Sequence, residues 1–104
     1  MLVVLYRWRV RTDYERQFVE SWSAITAHLQ ENCNSLGSRL HRGGDGLWYG
    51  YAQWKSVEER ERAFTFDSET VSEASRTMRA AIVESYPETL LDVVADFLVL
   101  PDER

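Results

Sequence analysis

The sequence has little cysteine, proline, glycine or histidine, and these shortages remove several classes of protein. A single cysteine, Cys33, in 104 residues permits neither an intrachain disulfide nor a thiolate metal cluster. The sequence has only two prolines and five glycines, and it contains no linker, repeat or low-complexity segment. The two histidines, His28 and His41, lack the spacing of metal ligands. We therefore predict no metal site.

Basic clusters and long apolar runs are also missing. The formal net charge is −5, from 12 basic and 17 acidic residues, and such a chain repels nucleic-acid phosphates. The short basic group of Arg39, His41 and Arg42 is interpreted as a solvated strand edge rather than an anion site. No stretch approaches the ~20 apolar residues of a membrane span, and no basic leader with a cleavage site is present. We expect a cytoplasmic protein with neither a nucleic-acid nor a membrane partner.

What the sequence does contain is a clear change of hydrophobic period. Residues 2–10 alternate as a strand with one buried face, whose members are Leu2, Val4, Tyr6, Trp8 and Val10. Thr12 and Glu15 then have the spacing of a helix capping box. The apolar steps become three and four, typical of an amphipathic helix, at Tyr14, Phe18, Trp22, Ile25 and Leu29.

The remaining elements follow from similar signals. A glycine-rich turn at 43–46 predicts a hairpin between strands at 36–42 and 47–54; a phosphate loop is disfavoured, because such loops lead into a helix. Ser56 and Glu59 predict a second helix cap, with a short helix ending at Phe64 or Phe66 and a break at 67–68. A longer helix is predicted to about residue 85, ended by Pro87, before a last strand at 89–100.

This order predicts an α+β fold of the ferredoxin-like βαββαβ type, a four-stranded antiparallel sheet with its helices on one face. The first strand lies centrally, beside the third and fourth. Arg7 and Arg9 are then expected to face Asp92 and Asp96 on the sheet face away from the helices. The same face is predicted to carry aliphatic residues, namely Val3, Leu5, Leu90, Val94 and Leu98. Because such a patch should not remain in water, we predict a homodimer through this face.

Four segments resemble the antibiotic-biosynthesis-monooxygenase family over nearly the whole chain: 4–10, Glu15 with Phe18 and Trp22, 36–40 and 54–56. The resemblance implies one family-like domain at 1–104, a dimeric α+β barrel and a cavity between sheet and helices. It also implies oxidation of phenol- or quinol-type aromatics by O₂ without a cofactor. Haem degradation, found in one branch, is disfavoured because the first strand lacks an asparagine and no histidine follows His41. The resemblance assigns no catalytic residues.

Candidate site residues therefore come from side-chain chemistry and predicted position. A flat apolar slot for an aromatic ring is predicted to be walled by Trp8, Trp22, Trp48, Trp54 and Met78, although aromatics at these spacings commonly form plain core. His28, beside the first helix's apolar stripe, is a candidate base, and Tyr6 a candidate proton donor. The charged run at 58–62 is interpreted as a solvated helix face.

The leading hypothesis is a dimeric, cofactor-independent monooxygenase for a small aromatic substrate. The alternative from another class is a non-catalytic protein of the same fold that binds a small apolar molecule or only assembles. A weaker third hypothesis is an isomerase or cyclase in which His28 or Tyr6 moves protons without oxygen.

Overall fold

The computed structural model describes residues 1–65 and 68–104, which form a five-stranded antiparallel sheet and three α-helices. The elements in chain order are β1 (Leu2–Val10), α1 (Glu15–Asn32), β2 (Ser38–Arg42), β3 (Trp48–Trp54), α2 (Val57–Phe64), α3 (Glu69–Ala81), β4 (Ile82–Ser85) and β5 (Thr89–Asp92). Phe66, one predicted end of the short helix, and Asp67 of the predicted break lie outside the described residues.

The sheet has β1 at its centre, as predicted. β3 pairs with one side of β1 and carries β2 at its outer edge. On the other side, β4 pairs with the end of β1 and β5 with its beginning. Alternate residues of β1 face the helices, where Val4 and Trp8 pack into two buried clusters with residues of all three helices. The ferredoxin-like α+β prediction is confirmed, but the sheet has five strands where four were predicted, because two short strands, β4 and β5, share one side of β1.

Of the two predicted capping boxes, one is correct. The Ser56 hydroxyl accepts a hydrogen bond from the Glu59 backbone N–H at 3.1 Å, which satisfies a donor at the start of α2. The Thr12–Glu15 prediction was wrong: Thr12–Tyr14 forms a 3₁₀ turn, and α1 begins without a side-chain cap. Glu15 instead accepts a hydrogen bond from Arg42 Nη2 at 2.8 Å.

The predicted helix to about residue 85 was wrong in its last turn. α3 ends at Ala81, and residues 82–85 form β4, in which Ile82 pairs with Val10 and Glu84 with Arg9. The open edge of β1 supplies ladder hydrogen bonds here, and β-branched Ile82 and Val83 suit a strand. Pro87 therefore separates two strands and ends no helix.

The predicted strand at 89–100 was also too long, and its faces were reversed. β5 ends at Asp92, which pairs with Leu2, the first residue of β1; one further backbone hydrogen bond joins Val93 N–H to the Met1 carbonyl. Leu91 lies opposite Val3, whereas Leu90 and Asp92 lie opposite Val4 and Leu2 on the helix side. The predicted arginine–aspartate pairing is consequently wrong. Instead, Tyr86 stacks beneath Arg7 and accepts a hydrogen bond from Arg9.

Candidate functional site

A cavity of about 170 Å³ lies on the helix side. α1 contributes Ile25, His28 and Leu29, α2 contributes Ala63 and Phe64, and the remaining walls are Cys33, Val71 and Ser75. An apolar cavity of about 150 Å³ in another protein stays dry and binds benzene. The space therefore fits a single aromatic ring.

His28 is the predicted catalytic residue that the structure brings to this cavity. It is half-buried near the end of α1, and its Nδ1 lies 3.4 Å from the side-chain amide of Asn32, one turn later. The imidazole thus forms part of an otherwise largely apolar wall. This is the position that the hypothesis of a ring-binding slot with a base requires.

The predicted aromatic walls occupy other positions. Phe18, at 0% exposure, packs edge-on against both Trp8 and Trp48, with ring centroids 5.3 and 5.5 Å away. Trp22 and Met78 are half-buried against this same cluster. Trp54 is 2% exposed and packs in the second cluster with Leu2, Val4, Cys33, Ala52 and Ala63. These side chains fill the interior around the cavity.

A glycine allows the aromatic packing on β1. Tyr6 and Trp8 stack with their rings parallel within 5° and their centroids 5.4 Å apart. Gly50 pairs with Tyr6 on β3, and a Cβ atom there would lie 2.8 Å from Cη2 of Trp8 and 3.3 Å from Cδ2 of Tyr6. Any larger residue would thus collide with the stack.

The hydroxyl of Tyr6 belongs to a polar group whose members come from three separate parts of the chain. Arg60 Nη2, on α2, donates to the Tyr6 oxygen at 3.0 Å and to Glu88 Oε2 at 2.7 Å. The Arg60 side chain is 12% exposed, whereas that of Glu88 is 41% exposed. Burial favours a lower pKa for Arg60, but its bonds to Glu88 and Tyr6 outweigh burial and raise that pKa. A fully charged guanidinium is therefore held beside the tyrosine.

Arg60 and Glu88 were missed by the sequence interpretation. Arg60 had been assigned to a solvated face, and that assignment was wrong. Helical spacing could have predicted the burial of Arg60. Positions 60, 63 and 64 share one side of α2, and Ala63 on that side is buried. Glu88 has no such signal, because it lies in the break between β4 and β5.

Tyr6 gives a testable dependence of stability on pH. Burial raises its pKa above the usual value, despite the opposing effect of Arg60. Because the unfolded tyrosine loses its proton first, the stabilisation from neutral Tyr6 is complete below pH 10 and is lost at higher pH. Tyr6→Phe should cost about 1.5 kcal/mol at pH 8, through a hydrogen bond lost by charged Arg60. That deficit should shrink from pH 10 upwards in urea unfolding measurements.

Tyr14→Phe is the control for this comparison, because Tyr14 is 43% exposed on the outside of the fold. It should follow the wild type at every pH. Tyr49, whose pKa is raised by its hydrogen bond to the Asp45 carboxylate, is present in all three proteins and cancels. A constant Tyr6→Phe deficit up to pH 11 would contradict the proposed role of burial.

Residues 1–65 and 68–104 contain neither a candidate metal site nor a candidate membrane span. No three His, Cys, Asp or Glu side chains gather there in a way that could hold a metal ion. No helix in these ranges has the length and apolar character needed to cross a membrane.

Comparison with known proteins identifies the fold. The sequence matches no protein-family model and no curated protein. The cofactor-independent oxygenase SnoaB from Streptomyces nogalater matches with a TM-score of 0.75 at 15% identity, over 92% of this chain and 95% of SnoaB. Rv0793 from Mycobacterium tuberculosis matches with a TM-score of 0.74 at 12% identity, over 93% and 98% of the two chains. A protein of Nitrosomonas europaea assigned to the antibiotic biosynthesis monooxygenases matches with a TM-score of 0.75 at 12% identity, over 91% and 100%. The chain has the fold of the antibiotic biosynthesis monooxygenase proteins.

Proposed function

We propose that this chain is a monooxygenase-like enzyme that oxidises a single-ring phenol or quinol with O₂ and needs no cofactor. The observation that carries the proposal is the 170 Å³ cavity with His28 in its wall. The similarity in fold to a cofactor-independent oxygenase supports the same reaction class. A cytoplasmic location remains a prediction.

The chemistry asks three things of the protein. It must hold the ring, exclude water and remove the phenolic proton, after which the electron-rich phenolate can pass an electron to O₂. For a phenol with a free para carbon, one oxygen atom joins that carbon as the ring becomes a quinone. For a quinol, the oxygen atom joins a free ring carbon beside a hydroxyl as the ring becomes a hydroxyquinone. In both cases the other oxygen leaves as water with two hydrogens of the substrate, so no external reductant is required.

The residues divide these tasks by position. Ile25, Leu29 and Val71 supply apolar walls that favour a planar ring, and His28 is the proton acceptor. Tyr6 and Arg60 belong to a polar group on the other side of Phe64 and do not line the cavity.

His28→Ala tests the assignment of the base. We expect oxygen uptake with a panel of quinols to fall by at least about tenfold, because general-base catalysis commonly contributes more than that. His41→Ala is the matched control, since His41 is exposed on β2 and should retain the wild-type rate. An unchanged rate in His28→Ala would remove His28 from the mechanism.

A non-catalytic binding protein is the alternative. The dense packing of Trp8, Trp48 and Trp54 favours it, because these rings fill the interior and leave space for only a small ligand. Calorimetric binding of a single-ring arene without oxygen uptake would select this alternative. Turnover with any quinol would exclude it.

We further infer that a second copy covers the sheet face away from the helices, here called the open face (Val3, Leu5, Arg7, Tyr49, Tyr51 and Leu91). Leu5 and Leu91 are exposed there. The segment 93–100 has no regular structure. It lies over part of the open face, where it borders a hollow with Val3 and Tyr51, and it exposes Val94, Phe97 and Leu98 at 95%, 92% and 77%. Several large apolar side chains exposed on one segment favour association with another chain.

A further inference from the structure

Phe64 separates the apolar cavity from a group of buried polar atoms. Its ring lines the cavity. It also meets the Trp54 ring edge-on, with centroids 6.1 Å apart, and lies beneath the Arg60 guanidinium, whose carbon is 4.8 Å from the ring centroid. A single side chain thus contacts both regions.

The buried polar atoms include two nitrogen donors that still lack an acceptor among the described residues. These are Nε1 of Trp54 and Nε of Arg60. A buried N–H without an acceptor costs about 1–3 kcal/mol, so such atoms need an explanation in a folded protein. Both belong to residues in contact with Phe64, and an oxygen atom of a ligand would satisfy them.

Phe64 also lies at an exposed position. It is the last residue of α2, and it is 56% exposed despite its contacts. Rotating the ring outward would give up its contacts with Trp54, Arg60 and the cavity wall. The same motion would join the cavity to the two nitrogen donors.

We propose that Phe64 determines which ring systems this site accepts. With the ring in place, the cavity holds a single ring. With it displaced, a two-ring substrate fits, and the oxygen on its second ring accepts hydrogen bonds from Trp54 and Arg60. This inference rests on the proposed use of the cavity as the substrate site and names the residue that sets its size limit.

Binding measured without oxygen tests this proposal independently of turnover. Benzene-1,4-diol, 1,5-dihydroxynaphthalene, which has one hydroxyl on each ring, and naphthalene are titrated by calorimetry into the wild type and into Phe64→Ala. We expect the variant to bind the dihydroxynaphthalene about tenfold more tightly than the wild type does, a common gain when a pocket accommodates extra carbon atoms. The affinity for naphthalene, which has no oxygen atom, should rise less.

Val71→Ala is the matched control, because Val71 lines the same cavity from α3. It enlarges the cavity without opening it toward Arg60 and Trp54, so both two-ring compounds should change equally. Adding Arg60→Met to Phe64→Ala should remove the preference for the oxygenated compound. If Phe64→Ala does not fold, Phe64→Leu takes its place, and its affinity for the dihydroxynaphthalene is again compared with its affinity for naphthalene.

The deciding quantity is the affinity for the dihydroxynaphthalene divided by the affinity for naphthalene. If this ratio is the same in Phe64→Ala and Val71→Ala, the proposal is wrong. It is also wrong if no variant binds any of the three compounds. Oxygen uptake by the wild type is a separate measurement. Its absence alongside the expected ratios would end the oxygenase proposal and leave the role of Phe64 standing.

Discussion

Phe18→Ala should lower the free energy of unfolding by about 3–5 kcal/mol, the usual cost of removing a buried aromatic ring. Phe18 is fully buried, and its ring lies between those of Trp8 and Trp48. Its removal therefore leaves a void between β1, β3 and α1 and breaks two edge-to-face contacts. A domain of this size commonly has about 5–15 kcal/mol in total, so the melting temperature should fall by roughly 15–30 °C.

Urea unfolding followed by tryptophan fluorescence measures this loss, because Trp8 and Trp48 report directly on the environment of Phe18. Tyr14→Ala is the control, since it removes an aromatic ring near the start of the same helix where the side chain is 43% exposed. We expect that change to cost less than about 1 kcal/mol. Equal losses in the two variants would show that Phe18 does not organise this part of the core.

Leu5→Arg should convert the proposed dimer into monomers. Leu5 lies at the centre of the open face, on the central strand, between Tyr51 and Thr89 on the neighbouring strands. An unpaired charge buried between two copies costs several kcal/mol, which weakens association at least about 100-fold. Sedimentation equilibrium should then give the monomer mass of 12.2 kDa, whereas the wild type should give twice that value at micromolar concentration.

Val57→Arg is the control for charge and hydropathy. Val57 is 40% exposed at the start of α2, on the helix side, so the dimer should persist. A monomeric wild type would refute the dimer. A dimeric Leu5→Arg variant would place the interface elsewhere.

Hydrophobic periodicity predicted the frame of the fold because the responsible interactions are local or repeat regularly. The alternation in β1 and the stripe in α1 each bury one face, and both elements lie where they were predicted. The end of α3 could not be found this way. Residues 82–85 satisfy a helical stripe at Ile82, but pairing with β1 supplies more favourable partners, and that partner is distant in sequence.

The same limit explains the candidate site. His28 could be selected from its chemistry and its place on a helix, and the structure puts it in a cavity wall. The group formed by Tyr6, Arg60 and Glu88 joins three segments separated by 54 and 28 positions. Tertiary packing brings these residues together, and the spacing of residues along the chain does not predict it.

The space above Gly50 has a consequence for finding relatives. Since a Cβ atom at that position meets Trp8 at 2.8 Å, the paired tyrosine and tryptophan of the first strand demand a glycine across from them on the third. The solved structures with this fold are only 9–15% identical to the chain among those compared, so overall identity says little about which of them share this packing. The combination of Tyr6, Trp8 and Gly50 is a three-residue pattern that can be looked for in distant sequences. Chains that have it are expected to keep this aromatic packing, and chains that lack it are expected to pack differently here.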